Sequence, residues 1–390
     1  MFLFFLLLGL ASPALGQGFV SDVLKNIGKI SSPPPIQPEE WDGLEFRYGR
    51  VVFRPAQFKI EAAFLGFILV YAVVWLLGRR QNHLRAMAWF DAHKALLETQ
   101  FSNPLPKTGL IVQDGPRDFF NYSTGRRGLR ALHTTAQLRP RQDALSMLID
   151  FCWTLYDLKY TPKDEIQLDF TLQPSSGTPG LVWAIIKKDE MTNMRRERFD
   201  LGFTKGAEFA GLPDDVYVFS EAADITESLL KYTSNLPLAK LLHSDAAHKY
   251  FRSLFITDQP AERPEGVIPA SERFRHVILT LDAPPPSDAA ATIPLVEICF
   301  ALIDVLDSKL PLRPETKLKL KTRREEVEEE LKKEARKEKD DEQEENKRLA
   351  KKKAEEEKLA RLSATEQKKF EEKERKKALR RQQGKLVSRK

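Results

Sequence analysis

The chain has 390 residues, of which 42% are hydrophobic and 30% charged, and 62 lysine and arginine residues against 56 acidic ones give a net charge of +6. This length is enough for one sizeable domain or two small ones with a real core. Cys152 and Cys299 are the only cysteines, and both lie inside apolar runs. They are expected to be reduced core residues, so a disulfide-stabilised scaffold is excluded.

A hydrophobic leader covers residues 2–15 and ends with Ala14 and Gly16, small residues at the two positions that a signal peptidase inspects. We interpret residues 1–16 as a cleaved signal peptide, with an uncleaved anchor as the alternative. Cleavage would leave residues 17–59 in the lumen. Their balanced charge and central Ser-Ser-Pro-Pro-Pro run predict a short, largely extended linker.

The next apolar stretch, residues 62–78, contains 17 uncharged residues and would extend about 25 Å as a helix. Core helices of soluble proteins rarely stay uncharged for so long, so we predict a transmembrane helix over residues 60–78, of a length that suits the thin endoplasmic reticulum membrane. The predicted membrane anchors are Tyr71, Trp75, Arg79 and Arg80.

Charge bias does not orient this span, because four basic residues precede it and four follow it. The orientation therefore depends on the leader. The leader predicts one span with a short luminal N-terminus and a large cytosolic C-terminal region, and the length of the span favours the endoplasmic reticulum membrane. The helical pattern continues beyond the span as a juxtamembrane helix over residues 79–101, ending before Asn103-Pro104.

Residues 102–312 change periodicity several times, which predicts a cytosolic α+β domain. The predicted strands are 117–123, 129–138, 165–172, 181–188, 215–220 and 275–282. The predicted helices are 143–159, 189–200, 223–234, 237–256 and 292–309. Helices and strands do not alternate strictly, which argues against a doubly wound nucleotide-binding fold. The two most apolar helices, 143–159 and 292–309, contain acidic residues and are predicted to be buried core helices rather than further spans.

No pattern in the sequence supplies catalytic chemistry. It lacks a phosphate-binding loop, a G-x-S-x-G elbow, an H-E-x-x-H motif and any cysteine–histidine spacing that would hold zinc. We therefore expect no enzyme activity, no cofactor and no metal. The sequence Asn121-Tyr122-Ser123 is a glycosylation sequon only in the lumen, and the predicted topology leaves it unmodified.

The C-terminal region has 28 basic and 20 acidic residues over 315–390. Residues 315–362 are predicted to form a charged helix, because glutamates precede basic residues by four positions, and its sparse apolar residues do not hold a coiled-coil rhythm. Residues 363–390 begin with a capping box at Ser363 and Glu366 and carry most of the excess positive charge. The basic residues of this second helix are Lys368, Lys369, Lys373, Arg375, Lys376, Lys377, Arg380 and Arg381.

Three interpretations of this basic helix stay open: a solvated helix without a partner, a helix that binds anionic lipid, and a helix that binds structured RNA. Unbalanced charge repels itself unless an anion compensates it. Each basic residue near an anionic bilayer contributes about 1 kcal/mol, and phosphate neutralisation gives RNA binding a steep salt dependence. Ribosomal RNA is the largest polyanion at a cytosolic membrane face, and the eight residues above are the predicted RNA contacts.

Several short motifs resemble a known family. They are Trp89-Phe90 with His93, Leu97-Glu98 and Phe101; Arg141-Gln142-Asp143; and Gly211-Leu212-Pro213-Asp214 with Ser220-Glu221 and Thr226. With the leader, span, mixed domain and charged tail in this order, the chain resembles the calumin family, the coiled-coil-domain-containing endoplasmic reticulum membrane proteins of the PAT complex, in a fungal form.

The resemblance implies a subunit of the multipass translocon that sits beside the Sec channel and touches the ribosome. It also implies a small membrane partner, Asterix, with which the subunit shields polar transmembrane segments of nascent multipass membrane proteins. We therefore predict a non-enzymatic subunit of an intramembrane chaperone complex. The alternative is a membrane tether or contact-site protein whose basic tail binds anionic lipid.

Overall fold

The structure is a computed structural model that describes residues 43–48, 51–55, 58–105, 109–157, 160–173, 178–232, 238–264, 266–269, 273–308 and 310–360. The predicted signal peptide, the first part of the linker and the basic helix 363–390 with its eight predicted RNA contacts lie outside these residues. Within the predicted linker, two short strands pair as an antiparallel hairpin, β1 (Phe46–Tyr48) and β2 (Val51–Phe53).

The remaining strands belong to one mixed domain. They are β3 (Val112–Asp114), β4 (Asp118–Ser123), β5 (Leu129–Gln137), β6 (Glu165–Leu172), β7 (Trp183–Lys187), β8 (Lys205–Ala207), β9 (Val216–Ser220), β10 (Phe251–Thr257) and β11 (His276–Asp282). The helices are α1 (Lys59–Gln100), α2 (Ala144–Tyr156), α3 (Lys188–Glu197), α4 (Ala223–Tyr232), α5 (Leu238–Leu242), α6 (Asp245–Tyr250), α7 (Ile293–Asp307) and α8 (Pro314–Ala360). Short 3-10 helices cover Asp200–Phe203 and Pro286–Thr292.

In the described part of the chain, nine strands form one antiparallel sheet in the order β3-β4-β5-β6-β11-β10-β7-β9-β8. The large core covers one face, where α1 and α7 pack on the sheet. Alternation along β7 shows the two faces: Trp183 and Ile185 join the large core, whereas Ala184 and Ile186 join a small cluster with α3 and the 3-10 helix after it. The prediction of a mixed α+β domain with interspersed helices and strands is confirmed.

All six predicted strands are present, but the predicted helix 237–256 is wrong in its last part. Residues 251–257 form the interior strand β10, which lies between β11 and β7 and is buried on both faces. A short apolar run of this kind has no period-2 alternation, so it cannot be told from a buried helix by pattern alone. The helical part is two short helices, because Ser244 caps α6 by accepting the Ala247 amide (3.2 Å).

The two apolar helices differ in their environment. Helix α7 places eight residues in the large core, as predicted for a buried helix: Leu295, Val296, Ile298, Cys299, Phe300, Leu302, Ile303 and Leu306. Helix α2 was predicted to be buried as well, and that prediction is wrong, because none of its residues is buried. Most of its apolar side chains are exposed, so hydrophobicity alone did not indicate the packing partner.

Candidate functional site

Helix α1 changes its surroundings at Gly78. Apart from the half-buried Val74, every residue from Lys59 to Leu77 is exposed around the whole helix. From Gly78 onward one face is buried in the domain, at Gly78, Asn82, Ala86, Trp89, Phe90, His93 and Leu97. The exposed segment is about 29 Å long, close to the hydrocarbon thickness of a bilayer.

Two helical segments among the described residues are long and apolar enough to cross a membrane, α1 and Pro286–Asp307. The most apolar window of α1 is 0% buried, whereas that of Pro286–Asp307 is 56% buried. Burial in the core accounts for the second segment without a membrane. Burial in the domain does not explain the apolar segment of α1, because its side chains contact almost nothing in the domain.

Gly78 marks the contact between α1 and the loop that precedes α2. A Cβ atom at this position would overlap the backbone carbonyl of Arg141, so glycine permits the close approach. One turn further along α1, the Asn82 side-chain amide donates to the carbonyls of Arg139 (3.0 Å) and Pro116 (3.3 Å). Successive turns of α1 are therefore held against one loop.

Asp164 lies at the centre of an ion cluster at this contact. Its two oxygens accept hydrogen bonds from Arg141 (2.5 and 2.7 Å), one accepts the Arg139 amide (2.8 Å), and Arg85 of α1 contacts the same carboxylate. Burial alone would raise the pKa of Asp164, but the hydrogen bonds from Arg141 and Arg139 outweigh it and lower the pKa below its usual value. The carboxylate stays ionised at neutral pH and links α1 to the loop.

The four predicted membrane anchors lie on α1 beside this contact. Tyr71 donates its hydroxyl to Asp143 Oδ1 (3.1 Å), the residue that caps α2. The Arg79 guanidinium lies over the Trp75 ring, 5.3 Å from its centroid. Arg79 and Arg80 are exposed. Tyr71 therefore has a partner in the domain that the sequence did not indicate.

Replacing Gly78 by alanine is expected to lower the free energy of unfolding of the domain by about 1–3 kcal/mol, because the methyl group would force α1 away from the Arg141 carbonyl. Gly66 gives a matched control in the same helix, because a Cβ atom there meets nothing within 4 Å. Thermal unfolding of the purified full chain in detergent measures both variants. Equal melting temperatures for Gly78→Ala and Gly66→Ala would contradict the close contact.

Helix α8 is fixed to the domain along its first turns. Its apolar face buries Leu320, Val327 and Leu331, each burial contributing about 1.5–3 kcal/mol. Between them Arg324 makes paired hydrogen bonds to Glu221 (2.6 and 2.8 Å) and to Asp258 (2.7 and 3.0 Å). Burial alone would disfavour the charge of Arg324, but the two carboxylates outweigh it and raise its pKa further above the ordinary arginine value.

Beyond Ala335 the described side chains of α8 are exposed. The helix is therefore of two kinds: a packed part, residues 314–335, and a projecting part, residues 336–360. The projecting part has blocks of opposite charge, with acidic residues concentrated at 338–345 and basic residues at 347–353. The sequence predicted one solvated charged helix or one laid against a partner; the domain itself contacts the first part.

Comparison with known proteins assigns this architecture to one family. A family model described as PAT complex subunit CCDC47 matches residues 57–381, which is most of the chain. The chain belongs to the PAT complex subunit CCDC47 family. The match begins just before α1 and includes the mixed domain and α8.

Individual relatives agree with the CCDC47 family model. The UPF0674 endoplasmic reticulum membrane protein of Schizosaccharomyces pombe is 26% identical over 215 residues, covering 53% of this chain and 56% of the relative. The PAT complex subunit CCDC47 of Danio rerio is 24% identical over 286 residues (67% and 55%), and that of Homo sapiens is 24% identical over 294 residues (69% and 57%). The chain thus spans little more than half the length of the curated relatives that it matches.

The CCDC47-like motif after the apolar segment forms the inner face of α1. The Trp89 indole donates to the Thr292 hydroxyl (3.0 Å), and the His93 ring stacks on Trp89 while its Nδ1 donates to the Trp89 carbonyl (2.8 Å). His93 Nε2 lies 3.3 Å from the same threonine hydroxyl. Phe101 packs on Phe300 of α7. These motif residues connect α1 to the start and middle of α7, so the predicted juxtamembrane helix is a core helix of the domain.

The other motifs also lie at contacts between elements. Arg141 and Asp143 fix the loop that precedes α2, and Glu221 accepts hydrogen bonds from Arg324 of α8. Thr226 accepts the Trp183 indole N–H (3.0 Å). Gly78, Arg324 and the exposed face of α2 were not found from the sequence. For Gly78 a signal existed, because it is the last residue of the apolar stretch and is followed directly by two arginines.

The structure gives no starting point for catalysis within the residues it describes. There, no three histidine, cysteine or acidic side chains come together in a group that would hold a metal ion. Several buried carboxylates have shifted pKa values, but each has basic partners. Arg252, for example, bonds Glu190 (2.7 Å) and Glu165 (2.6 Å) at the sheet surface. Ion pairs that hold elements together are sufficient to shift pKa values in this way.

Asn121 of the sequon is buried inside β4. Its side-chain amide donates to the Pro104 carbonyl (3.2 Å), and none of its surface is exposed. A sugar at this position is incompatible with the folded domain on either side of a membrane. Asn121 therefore does not report on topology as the sequence suggested, because its lack of modification fits both orientations.

Proposed function

We propose that the protein is a subunit of a ribosome- and translocon-associated intramembrane chaperone complex of the endoplasmic reticulum, which assists the biogenesis of multipass membrane proteins without catalysis. The observation that carries this proposal is the family match over residues 57–381. Two relatives named PAT complex subunit CCDC47 align with 67% and 69% of this chain, and the alignments cover 55% and 57% of those relatives. The proposed partners are the ribosome, the Sec translocon, a small Asterix-like membrane protein and nascent multipass clients.

The proposed span is the exposed part of α1, Lys59–Leu77, which we place across the membrane as a single pass. Its support is the change of exposure at Gly78, which does not depend on a hydropathy scale. Arg79 and Arg80 would then lie at the cytosolic headgroups with Tyr71 and Trp75 nearer the acyl chains. The luminal side receives residues 17–59, and the cytosol receives the domain and tail.

Two designed sequons test this topology. Lys29→Asn creates Asn-Ile-Ser at residues 29–31, and Arg195→Thr creates Asn-Met-Thr at residues 193–195, where Asn193 is exposed on α3. Glycosylation acts only in the lumen, so the first variant is expected to gain an endoglycosidase-sensitive sugar and the second is not. Expression in cells followed by gel mobility measures both. A sugar on the Arg195→Thr chain would place the domain in the lumen and end the proposal.

The proposed RNA contact is the basic helix with its eight lysines and arginines, from Lys368 to Arg381. Its support is the excess of basic over acidic residues after residue 367, because ribosomal RNA is the largest polyanion at a cytosolic membrane face. Neutralising several phosphates makes affinity fall by about a thousandfold or more as salt rises from about 50 to 200 mM. Ribosome co-sedimentation of the detergent-solubilised chain should show that loss.

Deleting residues 363–390 is expected to weaken ribosome co-sedimentation at low salt and to flatten its salt dependence. Vesicles containing phosphatidylserine, without ribosomes, give the comparison. Equal ribosome binding by the full and shortened chains would remove the RNA role, and tail-dependent binding to the vesicles alone would favour the tether function. Purification from mild detergent after nuclease treatment then asks whether the Sec channel and a small membrane protein stay bound.

A further inference from the structure

Helix α2 has its polar side inward and its apolar side outward. At about 100° per residue, the side chains of half its circumference are Ala144, Leu145, Met147, Leu148, Phe151, Cys152, Leu155 and Tyr156. The inner half contains three polar residues, Ser146, Asp150 and Thr154, which are half-buried together with Ile149, and it also contains Trp153. Phe151 is 59% exposed and Leu155 68%. A helix on a water-facing surface shows the opposite arrangement.

The polar residues of the inner half have partners close by. The Ser146 hydroxyl donates to Asp143 (2.6 Å), Thr154 donates to the Asp150 carbonyl (2.9 Å), and Tyr160 donates to the Asp150 carboxylate (3.0 Å). These bonds satisfy the side of α2 that faces the chain. The outer half is largely apolar. This apolar surface is much wider than the narrow stripe by which one helix packs on another.

The position of α2 indicates what covers this outer side. Its capping residue Asp143 accepts the Tyr71 hydroxyl, and Tyr71 lies in the exposed apolar segment of α1, seven residues before Gly78. Along a helix that separation is about 10 Å. The apolar surface of α2 is thus continuous with that of the segment we place across the bilayer, near its cytosolic end. Interfacial helices lie about 5–10 Å into the boundary between headgroups and acyl chains.

The residues around α2 fit a membrane interface. Arg139 precedes it, and Trp153, Tyr156 and Tyr160 lie at its C-terminal end. Tyrosine and tryptophan concentrate at headgroup level, where one end of the ring is apolar and the other is wet. Basic residues at the same level meet the phosphates of the lipids.

We propose that α2 lies in the cytosolic leaflet of the bilayer with its outer half against the acyl chains. This is a second membrane contact, and it rests on the proposed function in that Lys59–Leu77 must span the same membrane. A single span leaves the domain free to rotate about the helix axis. The second contact fixes that rotation and determines which face of the domain points along the membrane and which points into the cytosol.

Cys152 supplies a native probe, because it lies half-buried in the outer half of α2, beside Leu148 and Phe151, while Cys299 is fully buried and burial raises the pKa of its thiol. The full chain is placed in phosphatidylcholine vesicles and treated with a charged, membrane-impermeant maleimide. The reference is the Cys152→Ser/Asn193→Cys chain, whose thiol is exposed on α3. Since the reaction needs the thiolate and water, we expect Cys152 to react about tenfold more slowly than the reference.

Two further variants show whether lipid causes the protection. Leu148→Gln/Phe151→Gln makes the outer half polar beside Cys152 and is expected to raise its rate about tenfold. Tyr122→Gln changes a side chain of similar exposure on the sheet (52%, against 59% for Phe151) and should leave the rate unchanged. A rate for wild-type Cys152 equal to the reference, or no response to the double variant, would overturn the proposal.

The outcomes separate this proposal from the one on which it rests. Failure of the chain to float with the vesicles would contradict the span, whereas flotation with a rapidly reacting Cys152 contradicts only the leaflet position of α2. Rapid reaction in pure vesicles combined with protection in native microsomes would assign the outer half of α2 to a protein partner and would equally overturn the lipid assignment.

Discussion

Replacing Arg324 by methionine is expected to lower the free energy of unfolding by about 3–5 kcal/mol, the usual cost of breaking a buried ion pair from one side. Arg324 is 13% exposed, and its partners Glu221 and Asp258 are 5% and 15% exposed. Without the guanidinium, two carboxylates would face each other out of water. The packed part of α8 would then separate from the sheet, and urea unfolding together with proteolysis of α8 measures both effects.

The neighbouring Arg323 is the matched control. It is 48% exposed and pairs with Glu326 one turn along the helix, so Arg323→Met should change stability by less than about 1 kcal/mol. Adding Glu221→Gln and Asp258→Asn to Arg324→Met removes the facing charges and should restore much of the loss. Equal stability of the two single variants, or no recovery in the triple variant, would show that the ion pairs do not hold α8.

Acidification from pH 6.5 to about 4 is expected to lower the free energy of unfolding by about 3 kcal/mol through His93 alone. Burial lowers the pKa of His93 from 6.5 to about 4. In that interval the unfolded chain binds a proton that the folded chain excludes, so stability falls as the pH falls, by up to about 1.4 kcal/mol per pH unit. Above pH 6.5 the residue is neutral in both states and contributes no pH dependence.

His93→Gln retains hydrogen-bonding groups but does not titrate, so its stability should vary less between pH 6.5 and 4 even if its stability at pH 7 is lower. His133→Gln replaces an exposed histidine on the sheet and is the matched control for the substitution. Thermal unfolding in detergent across this range measures the difference. An unchanged slope in His93→Gln would mean that His93 does not carry the proton.

The sequence predicts best what local pattern encodes. Composition and alternation predict helix α1, its continuation past the apolar segment and the six predicted strands. Strand β10 was missed because a strand buried on both faces has the same apolar run as a buried helix. The strand forms because it pairs with β7 and β11, and local sequence patterns do not reveal this pairing.

Burial was predicted less well than secondary structure. Helix α7 and helix α2 are both strongly apolar, and both were expected in the core. Their environments differ in the structure. Helix α7 fills the large core, whereas α2 follows a loop whose Asp143 accepts a hydrogen bond from Tyr71 of α1. Hydrophobicity reports that a side chain avoids water, and it does not state whether protein or lipid replaces the water.

The contacts of the candidate site depend on pairs far apart in the chain. Arg324 bonds Glu221 and Asp258, which are 103 and 66 positions away in the sequence. Nothing in the local sequence distinguishes this arginine from the other basic residues of the charged helix. Gly78 meets Arg141 across the loop before α2. Such pairs are found from a structure because periodicity has no information about which distant residue will lie opposite.

The projecting part of α8 has a geometric consequence. Residues 336–360 continue as one helix beyond the last packed turn, so residue 360 stands about 38 Å from that turn along the axis. A partner bound by the residues that follow would therefore be held at about this distance from the packed part of α8, and not close to the sheet. Adding or removing one helical turn in residues 336–360 would change the distance between the packed part of α8 and such a partner by about 5 Å, and it would rotate the remaining chain very little.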